Sequence, residues 1–78
     1  MKLRYERGAL ADVDEILARI EEVAARIAAT PFMGEATRKS NFRRFPVGNY
    51  LIVYEVGQDE VIIHYVRHGA RRRPWEKE

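Results

Sequence analysis

Residues 42–73 read FRRFPVGNYLIVYEVGQDEVIIHYVRHGARRR, and this stretch decides the fold. Its apolar runs have the length of β-strands, and turn-forming residues separate them at positions 46–49 and 57–59. Short apolar runs joined by glycine-containing turns are typical of antiparallel hairpins. The stretch therefore predicts three consecutive strands, at 41–46, 50–57 and 60–67, followed by a cluster of arginines.

The chain before this stretch predicts one more strand and one helix. Residues 2–7 alternate between polar and apolar side chains, as in a half-buried strand, and their charged outer face suits a sheet edge. Residues 9–30 contain strong helix formers, with apolar residues three and four positions apart. The predicted fold is α+β, a small antiparallel sheet packed against one long helix in the order β-α-β-β-β.

The helix is expected to bury one face and to end before Pro31, because proline disfavours a helical conformation in the preceding residue. Phe32 and Met33 follow in a loop, where they are expected to cover the core. No glycine, proline or asparagine interrupts residues 10–29, which favours one helix over a helical hairpin. The stripe expected to face the sheet consists of Leu10, Val13, Ile16, Leu17, Ile20, Val23, Ala24 and Ile27.

Alternation along the predicted strands assigns side chains to the two faces of the sheet. Phe42 and Arg44 share one face. Arg43 and Phe45 share the other, so one arginine is expected to be well exposed. In the last strand, one face is predicted to carry Ile62, His64, Val66 and His68, and the opposite face Val61, Ile63, Tyr65 and Arg67.

With 78 residues and no cysteine, the chain depends on a small apolar core, and one domain, 1–78, is expected. Neither a disulfide nor a thiolate zinc site can add to that core, so further burial is expected from a partner chain or from self-association, and a homo-oligomer is predicted. The first residues lack the apolar core of a signal peptide, and the longest apolar run is far shorter than the roughly 20 residues of a spanning helix. A cytoplasmic protein without a membrane partner is predicted.

Positive charge is concentrated in the second half of the chain. Residues 36–78 carry nine basic and five acidic side chains, whereas residues 1–35 carry five basic and seven acidic ones. This asymmetry favours a polyanion or an acidic protein as partner, although ordinary solubility explains it equally well. The cationic residues comprise Arg38, Lys39, Arg43, Arg44, Arg67, His68, Arg71, Arg72 and Arg73.

Phosphate is the chemistry that such a set of cations suits. The set could bind a nucleic-acid backbone, or stabilise the charge that develops when RNA is cleaved by its own 2′-hydroxyl. Cleavage also needs an acid and a base near neutral pH, for which His64 and His68 are the candidates, although strand histidines are more often structural. These two histidines are expected about 13 Å apart, too far to bind one metal ion. The sequence predicts no cofactor.

Four segments carry a resemblance to a known family. They are ALADVDEI at the start of the helix, the loop PFMGEATR, the hairpin FRRFPVGNYLIVYEV and the ending VRHGAR. In this order they make the chain similar to the ParE/RelE superfamily of toxins from bacterial toxin-antitoxin pairs. The resemblance implies an antiparallel sheet with helices on one side, and a cognate antitoxin that wraps the toxin with an acidic or amphipathic segment. The implied target is DNA gyrase, or the translating ribosome with its mRNA.

The ribonuclease branch of the superfamily is matched poorly. Its strand arginine falls on Leu51, and Trp75 and charged residues occupy the region of its C-terminal tyrosine, although Arg71 matches another of its arginines. If the chain were a ribonuclease, the candidate catalytic residues are His68, Arg71 and Arg44. The departures favour the ParE-like branch, which inhibits gyrase by protein binding. Residues expected to bind the target or another polyanion are Arg43, Arg44, Arg67, His68, Arg71, Arg72, Arg73 and Trp75.

The helical region is shorter than the superfamily pattern. Members place a hairpin of two helices after the first strand, whereas here ALADVDEILA runs directly into RIEEVAARIAATPFMG. The shortening is expected to uncover part of the sheet, which self-association could bury. An inactive or designed oligomeric derivative of the fold is therefore a third hypothesis, beside the gyrase inhibitor and the ribonuclease.

Overall fold

The computed structural model describes residues 1–11 and 13–68. In that part of the chain it contains one α-helix, α1, at Leu17–Ala29. The strands are β1 at Lys2–Tyr5, β2 at Glu35–Ala36, β3 at Phe42–Val47, β4 at Tyr50–Val56 and β5 at Glu60–His68. The predicted α+β fold and its order β-α-β-β-β are confirmed, and the short strand β2 is an addition to them.

The five strands form one sheet in the order β1-β5-β4-β3-β2. The two hairpins of the meander are antiparallel and β1 lies at a sheet edge, both as predicted. The prediction of a wholly antiparallel sheet is wrong, because β1 pairs in parallel with β5, from Lys2 opposite Glu60 to Tyr5 opposite Ile63. Parallel neighbours need a long connection, which the helix and the three strands after it provide here.

Helix α1 is shorter than the helix predicted at 9–30. Residues 7–11 form turns, and Asp14–Ile16 form a short 3-10 helix before α1 begins. This bent segment inserts Ala9 and Val13 into the core, where they are 4% and 1% exposed. The 13 residues of α1 span about 20 Å, close to the roughly 23 Å of the seven-residue strand β4.

The core lies between α1 and one face of the sheet, here called the inner face. The helix stripe is buried there as predicted, at Ile20, Val23, Ala24 and Ile27, with Leu10, Ile16 and Leu17 packed at the margin. The facing strand residues are Val47, Ile52, Tyr54, Val61, Ile63 and Val66. Among the described residues, no helix has both the length and the apolar character needed to cross a bilayer.

Tyr54 fixes the loop that joins α1 to the sheet. Its side chain is fully buried, and its hydroxyl donates to Pro31 O at 2.7 Å and accepts from the Gly34 N–H at 2.9 Å. Burial raises the pKa of this hydroxyl above its ordinary value, so the neutral form is favoured. A Cβ atom at position 34 would clash with the Tyr54 hydroxyl and would lie 2.8 Å from Arg44 O. Only glycine therefore fits this contact.

Strand β5 contains a bulge at His64. The pairing with β4 passes from Ile63 opposite Tyr54 to Tyr65 opposite Val53, which leaves His64 as an extra residue. A bulge of this kind reverses the alternation of side chains beyond it. The strict alternation predicted for this strand is therefore wrong after position 64.

The bulge changes which β5 residues share a face. Val66 packs in the core beside Ile63, so it does not share a face with His64 as predicted. His68 follows Val66 to the inner side, where its ring meets Tyr50 edge-on with 5.0 Å between centroids. The residues on either side of Val66 therefore point to the opposite surface of the sheet, here called the outer face, which α1 does not cover.

Candidate binding site on the outer face of the sheet

A groove of about 280 Å³ lies on the outer face, between the turn at 37–41 and strands β3 to β5. We call it the outer groove. Every charged side chain in its lining is a cation. The lining comprises Thr37, Arg38, Lys39, Phe42, Arg44, Val53, Tyr65 and Arg67. Cations around aromatic and apolar side chains form a surface that can bind an anion and a flat or apolar group together.

The two arginines of β3 diverge to opposite faces, as the alternation predicted. Arg44 is only 6% exposed, and its Nε lies 3.1 Å from Glu35 Oε1 on the neighbouring strand β2. Arg43 is half-buried, and its Nη1 donates to Gly34 O at 2.7 Å while its guanidinium stacks over the Phe32 ring. The prediction that one of them is well exposed is therefore wrong, because β2 and the loop before it approach both.

The turn at 37–41 brings two further cations to the rim of the groove. The Thr37 hydroxyl lies 3.1 Å from Phe42 O and accepts from the Lys39 N–H at 3.2 Å, which holds the turn closed. Asn41 has a φ of 70°, in the left-handed region that asparagine tolerates. Lys39 Nζ sits 4.6 Å above the centre of the Phe42 ring, a cation-π contact. Arg38 stands beside Lys39 in the same turn.

Tyr65 and Arg67 complete the opposite wall of the groove, and the bulge at His64 is what brings them there. Tyr65 is 46% exposed, one of the largest exposed apolar surfaces in the described chain. Tyr65 and Phe42 were not predicted to be site residues. Strict alternation grouped Tyr65 with Val61 and Ile63, which the structure buries under the helix, and a β-bulge leaves no reliable signal in a single sequence.

His64 lies beside the outer groove and contacts one of its lining residues, Phe42. Its Nε2 lies 2.8 Å from Glu55 Oε1, and its ring packs against Phe42 with 4.8 Å between centroids. The Glu55 carboxylate and the Phe42 ring therefore hold this imidazole in place. His64 is not among the residues that line the outer groove, so its position suits a structural role better than proton transfer to a ligand there.

The structure separates the residues that were predicted to act together. Arg44 and Arg67 meet at the outer groove, whereas Arg43 and His68 lie on the inner side of the sheet. The candidate ribonuclease residues Arg44 and His68 thus face opposite ways. Four of the predicted site residues lie outside the described residues: Arg71, Arg72, Arg73 and Trp75.

Metal chemistry has no geometric support in residues 1–11 and 13–68, where no three acidic, histidine or cysteine side chains come together. The outer groove offers cations, a hydroxyl from Thr37 and the phenol of Tyr65. This set can bind an anionic ligand, and among its described residues it contains neither a carboxylate nor an imidazole to exchange protons with that ligand.

Comparison with known proteins identifies the family of this chain. The model of the ParE toxin of the type II toxin-antitoxin system, parDE, matches residues 2–73. The chain belongs to the ParE toxin family. The predicted membership of the ParE/RelE superfamily is thereby confirmed, and the protein is a toxin of the type II toxin-antitoxin class.

The ParE-family toxin is also similar to a solved structure. A chain of the RelB-RelE antitoxin-toxin complex from Methanococcus jannaschii matches it with a TM-score of 0.65 and 24% sequence identity, over 83% of this chain and 88% of that chain. At this identity the likeness concerns the fold. The sequence has no match among curated proteins.

Proposed function

We propose that this toxin acts by binding DNA gyrase, without catalysing a reaction of its own, and that a cognate antitoxin neutralises it. The observation that carries the proposal is the lining of the outer groove, which combines four cations with two aromatic rings and holds no acid-base pair among its described residues. A surface of this kind supports binding and electrostatic steering better than proton transfer. The match to the ParE toxin model supports the same target.

An antitoxin partner has separate support. The similar structure from Methanococcus jannaschii is of an antitoxin-toxin complex, and family membership places this chain on the toxin side of such a pair. Cationic residues on the toxin suit an antitoxin segment with acidic side chains. Co-expression with the cognate antitoxin is expected to relieve growth arrest, and purification is expected to yield a stable complex.

The test of the target uses purified toxin and gyrase. The toxin is expected to inhibit DNA supercoiling and to cause cleaved DNA to accumulate. Tyr65→Ala and Arg67→Gln should weaken both effects, while Arg19→Gln, an exposed arginine on α1, serves as the matched control. The proposal fails if wild-type toxin leaves gyrase untouched over the concentrations that arrest growth.

A ribosome-dependent ribonuclease is the second candidate. The outer groove favours it in one respect, because four cations and two exposed or half-buried rings are suited to a phosphodiester and a stacked base. Against it, Leu51 is an 8% exposed aliphatic residue at the position where that branch has an arginine. Cleavage of mRNA on translating ribosomes, with gyrase unaffected, would establish this candidate.

We further propose that residues 1–78 form a single domain and that the domain self-associates. The short helix covers only the inner face of the sheet, which motivates the second part. Light scattering during size exclusion is expected to give a mass above that of one chain. An inactive derivative of the fold is the remaining hypothesis, and induced expression without growth arrest would favour it over both active toxins.

A further inference from the structure

Strand β1 forms an open edge of the described sheet. It pairs with β5 on one side and has no strand on the other, whereas the opposite edge is formed by β2, which has only two residues. The N–H groups of Lys2 and Glu6 donate to backbone carbonyls on the β5 side, at 3.0 Å and 2.9 Å. Because backbone groups alternate in direction along a strand, those of Leu3 and Tyr5 point to the open edge. β1 therefore offers two N–H groups and two carbonyl groups to another strand.

The side chains of β1 differ between the two faces of this edge. Leu3 and Tyr5 lie on the inner face, where both pack against the core. Arg4 lies on the outer face, where its Nε is 3.3 Å from Glu60 Oε1 and its Nη1 is 3.0 Å from Glu6 Oε2. The open edge therefore has an apolar side toward α1 and a charged side away from it.

The open edge is complementary to itself when two copies run antiparallel. A two-fold axis at Arg4 puts Lys2 of each copy opposite Glu6 of the other. The same axis puts Leu3 of each copy opposite Tyr5 of the other, with their backbone groups directed at each other. Two such pairs form four N–H···O=C bonds. One register thus satisfies the backbone groups, pairs opposite charges on the outer face and brings apolar side chains together on the inner face.

The two Arg4 side chains meet at this axis, and carboxylates balance their charges. Each guanidinium already contacts Glu6 and Glu60 of its own chain. With Lys2, each copy brings two cations and two anions to the outer face of the junction. The junction is therefore neutral as a whole.

We propose that β1 pairs with β1 of a second copy, so that the two sheets join into one continuous sheet around a two-fold axis at Arg4. This pairing gives the self-association proposed above a surface, and it rests on that proposal. Addition of a strand to an open sheet edge is a common mode of protein association. The pairing involves few residues, so the dimer is expected to depend on concentration.

Neighbouring registers fit less well. An axis at Leu3 would put Lys2 opposite Arg4, and like charges directly opposite each other destabilise a strand pair. An axis at Tyr5 would keep only two of the four backbone bonds, because residue 7 already lies in a turn. The charges that protect an edge from stray pairing thus leave one register open here.

Two other exposed surfaces could join copies, and they supply controls. Phe32 in the 3-10 turn Pro31–Met33 is 65% exposed. The sequence predicted that it would cover the core as Met33 does, and for Phe32 that prediction is wrong. Tyr65 is exposed at the outer groove. Neither side chain belongs to β1, so Phe32→Ala and Tyr65→Ala should leave the proposed dimer intact.

Cross-linking tests the register directly, since the chain has no cysteine of its own. Arg4→Cys puts two thiols across the axis, at a pair whose Cα atoms lie about 4.5 Å apart, a separation that a disulfide spans. Mild oxidation is expected to convert most of this variant into a covalent dimer. Lys2→Cys is the matched control, because the two copies of that position would lie about 14 Å apart and should cross-link little.

Charge reversal tests the same register without a covalent bond. Lys2→Glu and Glu6→Lys each put like charges opposite each other, so each variant alone should dimerise about tenfold or more weakly, as measured by light scattering over a concentration series. An equimolar mixture of the two variants should regain the dimer, because positions 2 and 6 of the two chains then carry opposite charges. Arg19→Glu, on the exposed side of α1, is the control and should dimerise like the wild type.

Recovery on mixing separates a lost contact from a lost fold, because a variant that failed to fold would not be rescued by another. Equal cross-linking of Arg4→Cys and Lys2→Cys, or no recovery in the mixture, would overturn the pairing. A dimer that Phe32→Ala or Tyr65→Ala abolishes, and that both charge reversals leave intact, would keep self-association but move it to another surface. A wild-type chain that stays monomeric, with no cross-link from Arg4→Cys, would overturn self-association as well.

Discussion

The two faces of the sheet differ in burial and in the side chains that they carry. On the inner face of β4 and β5, Ile52, Tyr54 and Ile63 are fully buried beneath α1. On the outer face, Tyr65 and Arg67 are exposed, although they are only two and four residues from Ile63. The helix covers the inner face, whereas the outer face carries the cations and aromatic rings of the outer groove. Substitutions on the inner face should therefore change stability, and those on the outer face should change binding.

The largest expected effect compares two adjacent isoleucines. Ile63 is fully buried on the inner face and Ile62 is 8% exposed on the outer one. Ile63→Ala should lower the free energy of unfolding by about 2–5 kcal/mol, because it leaves a cavity in a closely packed core. Ile62→Ala should cost less, since Ile62 lies outside the packed cluster beneath α1 and a gap on the outer face can be reached by solvent. Urea unfolding followed by circular dichroism measures both, and equal losses would show that the outer face is packed like the core.

Removal of the Tyr54 hydroxyl should have the next largest effect. Tyr54→Phe leaves the Gly34 N–H and Pro31 O without their bonds at a buried site, which should cost about 1–3 kcal/mol of stability. Tyr65→Phe is the matched control on the outer face and should cost almost nothing. Amide hydrogen exchange should report faster opening of the loop at 31–34 in the first variant. Unchanged exchange there would mean that other contacts hold the loop.

The raised pKa of Tyr54 should also make the stability of the fold depend on pH in the alkaline range. Burial raises the folded-state pKa of Tyr54 above its ordinary value of 10.0. Above pH 10 the unfolded chain loses a phenolic proton that the folded chain retains, so stability should fall as pH rises toward the folded pKa and should be unaffected at neutral pH. Urea titrations between neutral and strongly alkaline pH measure the loss.

Tyr54→Phe supplies the control for that measurement and should flatten the decline. Part of it should remain, because burial also raises the pKa of Tyr5. If the variant loses stability over alkaline pH as steeply as the wild type does, other groups are responsible for the decline.

The smallest expected change in stability belongs to the outer groove. Tyr65→Ala and Arg67→Gln should each alter the free energy of unfolding by no more than about 0.5 kcal/mol, because both side chains are exposed. They should nevertheless reduce growth arrest on induced expression, at equal protein abundance. A toxin that retains full activity with both substitutions would show that the outer groove does not contact the target.

The meander could be predicted from sequence because its signals are local. Glycine and asparagine at 48–49 and glycine at 57 fix two turns, and the apolar runs between them are long enough to be strands and too short to be helices. The buried face of the helix could be predicted equally well from Ile20 onward. The family resemblance, carried by the same segments, added the toxin class that these patterns alone do not contain.

The start of the helix and the bulge in β5 could not be predicted from the sequence, because contacts between distant residues determine them. Residues 9–16 have good helix propensity, yet the core draws in Ala9 and Val13 and the helix begins only at Leu17. The bulge at His64 depends on how β5 fits against β4, and it places Tyr65 at the outer groove, on the opposite face from Val61 and Ile63, with which strict alternation had grouped it. The candidate site was therefore only half predictable: its cations were identified, but its aromatic residues were not.

The pairing of β1 with β5 has a consequence for how the toxin is made. In the described sheet β1 has β5 as its neighbour, so during synthesis β1 must wait for β5, the last of the described strands along the chain. Contacts between such distant parts of a chain slow folding. The pairing cannot form before translation has passed β5, so a nascent chain that ends before β5 lacks both the partner of β1 and the groove residues Tyr65 and Arg67.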